Sequence, residues 1–316
     1  MAAMVFHVFS SSALVSLGLY HIVSVTLNFL KSPQSYSARP YHPFPPGPSS
    51  SHQLHLSVHH HHHHGIRFLQ LYLSIPCLVI AFAHQAIVAA DPDPLLKGST
   101  PVHHFISLQS AAVIFLFLIL TLALLLSDSS SLLPLPSDLF FALASAFFFL
   151  QFSVSSSAAS VQTSDLQAKC DSVAARISAL ASFLCLVLAC LPRLFVADVG
   201  LGATFFLQGL WVLQTGLSLY VEAFIPEGCH RLLDVVSGVE GSTKCDLEES
   251  RLRAVAILDL AFLIHVMFVL LIIFVIYAVI AKAVGVRRIG SYEALPAAAI
   301  GETNHIQMKA LTGTQA

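Results

Sequence analysis

Residues 253–281 read RAVAILDLAFLIHVMFVLLIIFVIYAVIA. Beyond Arg253 the run carries one acidic residue, Asp259, and one histidine, His265, in otherwise almost unbroken apolar sequence. A helix rises about 1.5 Å per residue and the hydrocarbon core of a bilayer is about 30 Å thick, so about 20 such residues cross it. Six further apolar runs of spanning length lie at 4–30, 66–90, 102–126, 138–158, 172–197 and 200–225. Of the whole chain, 56% is hydrophobic and 10% charged. A soluble domain carries about 25% charge. The runs are too long for barrel strands and lack their alternation. Since only helices and closed barrels satisfy their backbone in lipid, the expected fold is all-α: a polytopic membrane protein with a seven-transmembrane-helix bundle. The first run is read as a retained signal anchor, because it is too long for a signal peptide and no A-x-A-like site follows it.

Four regions follow. Residues 1–30 hold the first transmembrane helix. Residues 31–65 form a loop rich in Pro, Ser and His, whose composition cannot bury a core and is expected to be disordered. It includes six consecutive histidines at 59–64, with His52 and His55 close by. Free histidines bind Zn, Ni or Cu without any built site, and the tract is read as incidental low-complexity sequence. Residues 66–285 hold the other six helices, with a 226–252 loop, and 286–316 form a disordered tail. Pro192 and the stretch Gly200-Leu201-Gly202 are read as the turn between spans 5 and 6, and Cys185 and Cys190 as small buried residues of span 5.

Lys and Arg divide almost evenly between the two faces of such a bundle, so the positive-inside rule alone decides little. Two observations favour an N-terminus outside or in a lumen and a C-terminus in the cytosol. No Lys or Arg precedes span 1, while Lys31 and Arg39 follow it. Cys229 and Cys245 share the 226–252 loop, where a disulfide forms only in an oxidising compartment.

Polar groups within apolar spans point to function, because a charge at the bilayer centre costs at least about 2.5–3.5 kcal/mol on insertion scales. In span 6, Thr204, Gln208, Trp211, Thr215, Ser218 and Glu222 share one helical face, with Gln214 beside them. Gly202, Gly209 and Gly216 recur every seven residues next to that face and are expected to admit a close helix neighbour. Its functional reading is a polar path or ligand groove; its structural one is hydrogen-bonded contact between helices. Span 2 carries Gln70, Ser74, Cys77 and His84, span 1 His21, span 3 His104, and span 7 Asp259 and His265. The last two sit about 120° apart on a helix, poorly placed to share an ion. Two histidines on facing helices could ligate a b-type haem, and His with Asp could hold zinc. No diagnostic spacing supports either, so no cofactor is assigned. Nor is there a P-loop, a dinucleotide-binding glycine fingerprint, a G-x-S-x-G elbow or a nucleic-acid signature.

FLQGLWVLQTG at 206–216, followed by Leu219-Tyr220, together with GLYH at 18–21, PEGCHRLLD at 226–234 and KCDLEE at 244–249, resembles the transmembrane protein 45 family, defined by domain of unknown function 716, in its plant-type branch. His265 stands where similar proteins carry a helix histidine. Tyr20 replaces the expected tryptophan. The resemblance implies a seven-helix protein of endomembranes, with no established reaction and a loose link to stress or defence in plants. The expected function is thus that of a non-enzymatic multi-pass protein of Golgi, endosomal, vacuolar or plasma membrane. A bis-histidine haem redox protein and a small-solute or ion transporter are the alternatives. The bilayer is the expected environment, with no nucleic-acid partner. Tyr292 and Leu295 form a Tyr-x-x-apolar motif of the kind read by clathrin adaptors.

Overall fold

The computed structural model of the chain describes residues 2–42, 68–90, 101–130, 134–162, 164–234 and 239–285. Among the described residues, seven helices are long and apolar enough to cross a membrane. They are α1 (Ala2–Lys31), α2 (Leu69–Ala90), α3 (Pro101–Ser129), α4 (Ser137–Val161), α5 (Asp165–Cys190), α6 (Phe195–Tyr220) and α7 (Glu248–Val284). A hairpin of β1 (Cys229–Asp234) and β2 (Val239–Cys245) joins α6 to α7. Met1–Val284 is one compact unit, and of Gly285–Ala316 only Gly285 lies among the described residues. Tyr292, Leu295 and the histidines at 59–64 lie outside them.

Three helices begin five or more residues earlier than the apolar pattern suggests, α7 among them at Glu248 rather than 253. α5 starts at Asp165 rather than near 172, and α6 spans Phe195–Tyr220 rather than 200–225. The first two turns of α5 carry Asp165, Lys169 and Asp171, which hide a helix from any search for apolar residues. Ser164 caps it by accepting from the Gln167 amide, satisfying an otherwise orphaned N–H. The turn between α5 and α6 is therefore 191–194, and Gly200 and Gly202 lie inside α6. Cys185 is buried but Cys190, at the helix end, is exposed.

α1 packs along α6, α4 along α5 and α2 along α3. One apolar core joins residues of α1, α5, α6 and α7 around Ile22, Val173, Phe206, Trp211 and Leu258. A second joins α3, α4, α5 and α6 around Phe141, Leu188 and Leu201. The outer face of α7 exposes Leu263, Met267, Leu271 and Phe274, as expected where the solvent is lipid.

The α1–α6 contact explains the seven-residue glycine spacing. A Cβ on Gly209 would meet the Val15 backbone nitrogen and side chain at 2.8 Å and the Ser11 carbonyl at 3.0 Å. One on Gly202 would stand 2.9 Å from both His21 and Ile22. The backbones can approach this closely only without side chains, which is how small residues drive association in lipid. Between α4 and α5, Ser145 and Ser182 exchange hydrogen bonds, each hydroxyl donating to the other's carbonyl at 2.9 and 2.8 Å.

Residues 32–42, the start of the Pro-, Ser- and His-rich loop, fold onto the bundle. The Ala38 amide donates to the Pro192 carbonyl at 2.7 Å, and Tyr36, Ala38, Tyr41 and His42 are buried. Tyr36 and Tyr41 supply the apolar surface for this docking.

Gly209→Ala is expected to destabilise the purified protein by about 1–3 kcal/mol through overpacking against backbone. Gly200→Ala, whose Cβ would make only ordinary contact with Leu184 at 3.4 Å, should be neutral or stabilising by up to about 1 kcal/mol. Parallel thermal unfolding in detergent checks the pair.

Candidate functional site

The strongest concentration of buried polar groups lies where the end of α1, the start of α6 and the folded-back loop meet. His21 enters from the C-terminal half of α1 and Asp198 from the first turn of α6. His21 Nε2 donates to Asp198 Oδ1 at 2.7 Å. The Tyr36 hydroxyl donates to the other carboxylate oxygen at 2.5 Å. Asp198 is fully buried, at 0% exposure. Both of its oxygens thus have donors, as a carboxylate removed from water requires.

His42 completes the cluster. Its ring lies 5.2 Å from that of His21, centroid to centroid. One ligand atom from each of His21, His42 and Asp198 falls within 4.8 Å of the others, and these three form the one such group of His, Cys, Asp or Glu side chains among the described residues. His42 is held from four sides. Its Nδ1 pairs with the Asn28 amide nitrogen at 3.0 Å, its carbonyl accepts from the Tyr20 hydroxyl at 2.7 Å, and its backbone N–H donates to Gln70 Oε1 at 3.2 Å. The ring of His21 makes the fourth side. Yet His42 Nε2, buried in a residue only 3% exposed, has no hydrogen-bond partner.

Burial pushes the His42 imidazole down to about 4, since a charged ring loses its hydration there; His21 acts in the same direction and Asp198 opposes. The ring is therefore neutral at physiological pH. Tyr36 is raised well above the usual phenol range, first by burial and then by the neighbouring carboxylate, so it stays a hydrogen-bond donor.

The other candidate residues go to separate places. His84 stacks on Phe6, ring centroids 3.8 Å apart, and its Nδ1 is buried without a partner. His104 is exposed and edges onto Phe105. His265 donates from Nδ1 to the Ala261 carbonyl at 2.6 Å and stands edge-on to Trp211. On α6, Thr204, Trp211 and Ser218 are buried, and Gln208 and Thr215 half-buried. Trp211, 1% exposed, donates from its indole to the Cys170 carbonyl of α5 at 3.0 Å. Gln214 donates to the Ser218 hydroxyl, and Gln208 Oε1 is buried without a partner. Thr204, Trp211, Gln214 and Ser218 bond to a neighbouring helix or to their own helix, as polar contacts between helices do. Glu222 falls past the end of α6 in a short 3-10 turn, Glu222–Phe224, and is exposed, because the helix ends earlier than the apolar pattern suggests. Asp259 pairs with Lys169 of α5 at 2.6 Å, rather than with a histidine or glutamine.

At the opposite end of the bundle, Cys229 and Cys245 are joined in a disulfide and face each other across the β1–β2 register. That hairpin docks on α5 through the Ser164 hydroxyl, which donates to the Thr243 carbonyl at 2.7 Å.

Asp198, Tyr36 and His42 escape sequence reasoning. Asp198 falls in the stretch read as the end of one span and the turn to the next, so its depth is hidden. Tyr36 and His42 lie in a loop dominated by Pro, Ser and His. The available signal is the clustering of Tyr36, Tyr41 and His42 just before the prolines.

His21→Ala, which leaves the Asp198 carboxylate buried without its ring partner, is expected to cost about 3–5 kcal/mol. Tyr36→Phe removes one hydrogen bond to a charged group and should cost about 1.5–3 kcal/mol. Unfolding of both variants in detergent, with the far-UV helical signal as readout, checks the order.

No curated protein matches the chain. Residues 137–278, which run from α4 through most of α7 and include Asp198, Trp211, the two hairpin cysteines, Asp259 and His265, match the model of a family described as a family of unknown function (DUF716).

Proposed function

We propose that this chain is a non-enzymatic, multi-pass protein of the endomembrane system that binds a small ion or ligand at the loop end of its α1–α6 contact. The observation that carries the reading is the buried cluster of His21, His42, Asp198 and Tyr36, with one imidazole nitrogen left without a partner. Buried polar groups are ordinarily all paired, and an open nitrogen among otherwise satisfied neighbours is what a binding site needs. The family match supports an integral membrane protein without an assigned reaction. The finer resemblance to the plant-type branch of the transmembrane protein 45 family, and the link to stress or defence, belong to this proposal.

The disulfide hairpin favours an oxidising compartment for its end of the bundle. The cluster, at the other end, then faces the cytosol, together with the tail. Arg287 and Arg288 just beyond α7 suit an anionic cytosolic leaflet. Tyr292 and Leu295 follow as a signal for clathrin adaptors, which read such peptides in extended form.

The binding reading is tested by thermal unfolding of the purified protein against a panel of monovalent cations, divalent cations and small anions. At least one member should raise the melting temperature of the wild type and fail to do so for Asp198→Asn. A flat panel would refute binding.

Topology has its own test. A membrane-impermeant thiol reagent applied to sealed vesicles from the cytosolic side should leave Cys229 and Cys245 unlabelled until the vesicles are opened and reduced. Ser at both positions should lower stability by about 3 kcal/mol in the chain-entropy model. A tagged Tyr292→Ala variant should shift from internal membranes toward the cell surface. Identical distributions would remove the sorting role.

A further inference from the structure

We infer that His21, His42 and Asp198 form a binding site for a divalent transition metal of the zinc type, with three protein ligands and an open fourth position. The inference rests on the binding reading above and names the ligand class. The three ligand atoms already lie within 4.8 Å of one another. A tetrahedral zinc with bonds of about 2.0–2.2 Å holds its ligand atoms roughly 3.3 Å apart, so modest side-chain rotations close the set. The metal takes the place of the proton shared between His21 Nε2 and Asp198 Oδ1.

The surroundings have the form of a metal site's outer shell. Ligating carboxylates are themselves hydrogen-bonded, and ligating histidines donate their other ring nitrogen. Tyr36 donates to Asp198 Oδ2. Asn28 faces His42 Nδ1 at 3.0 Å. Turned by half a rotation, its amide presents oxygen instead of nitrogen, a pair that geometry alone hardly distinguishes. It then accepts the Nδ1 proton and leaves the lone pair on Nε2, the nitrogen that has no partner. Two imidazoles and one carboxylate favour zinc over calcium or magnesium, which prefer all-oxygen sites.

The six histidines at 59–64 would mask this site in any binding measurement, so the test uses the full chain with those six replaced by serine. Cobalt(II) serves as the spectroscopic probe, and zinc competes it off. The expected result is one cobalt per chain, with the visible absorption of a tetrahedral nitrogen and oxygen site. His42→Ala and Asp198→Asn should abolish it, and Asn28→Leu should weaken it by about 10–100-fold. Absence of cobalt binding in the tract-free chain, or the same spectrum and affinity in His42→Ala, would overturn the site. If the ligand variants fail to yield folded protein, Asn28→Leu decides: unchanged affinity there also overturns it. A melting temperature that responds to another ion but not to zinc or cobalt would refute the metal while leaving the binding reading standing.

Discussion

The close approach of α1 to α6 is the constraint on which the rest of this molecule depends. Gly202 and Gly209 admit the α1 backbone and side chains to distances that a single methyl group would forbid. In lipid no hydrophobic effect draws helices together, so this contact owes its strength to dispersion and short polar contacts. It also sets the chemistry. Gly202 lies one turn beyond Asp198, and its missing side chain makes room for the ring of His21. Were the helices farther apart, that imidazole could not reach the carboxylate, and the loop carrying Tyr36 and His42 would have no polar floor on which to fold.

Within the bundle, several polar side chains are answered locally. Trp211 is satisfied by a carbonyl of α5, Ser145 and Ser182 satisfy one another, and Lys169 neutralises Asp259. Each removes a group that would otherwise meet hydrocarbon unpaired, at a cost of several kcal/mol. The His21–Asp198 pair obeys the same rule but does not stop there. The cluster gathers groups from α1, the loop and α6 and leaves His42 Nε2 open. Gln208 Oε1 and His84 Nδ1 are open too, but among the described residues only His42 stands in a group of three potential ligands, and that gathering marks the proposed site.

The two ends of the bundle differ in kind. One carries a covalently closed hairpin seated on the start of α5 through Ser164. The other carries a loop whose described residues are held by hydrogen bonds and apolar packing, with Tyr36 edge-on to Phe29 and Phe195. A disulfide limits what its loop can do, whereas a loop tied by hydrogen bonds can open at modest free-energy cost. On the proposed binding reading, exchange of ligand falls to the loop end.

The seven spans were legible in the sequence because crossing a bilayer is a local property: enough consecutive apolar residues suffice, wherever the helix later packs. The glycine spacing of α6 was legible for a related reason, since a seven-residue repeat marks one face of a helix whatever covers it. What lay outside such reasoning was the partner of each polar group. His21 and Asp198 are 177 positions apart, and no local pattern links them. His21, His84, His104 and His265 look alike in sequence, yet their rings go to an aspartate, a phenylalanine, a neighbouring phenylalanine and a tryptophan. The starts of α5 and α6 were misread because charged residues in a first turn are tolerated once a neighbour or a cap satisfies them, and only packing says which neighbour that is. Length and hydropathy are summed along the chain, whereas a binding site is a coincidence of side chains in space. The first is written in the sequence; the second was decided by the helix contacts that brought α1, the loop and α6 together.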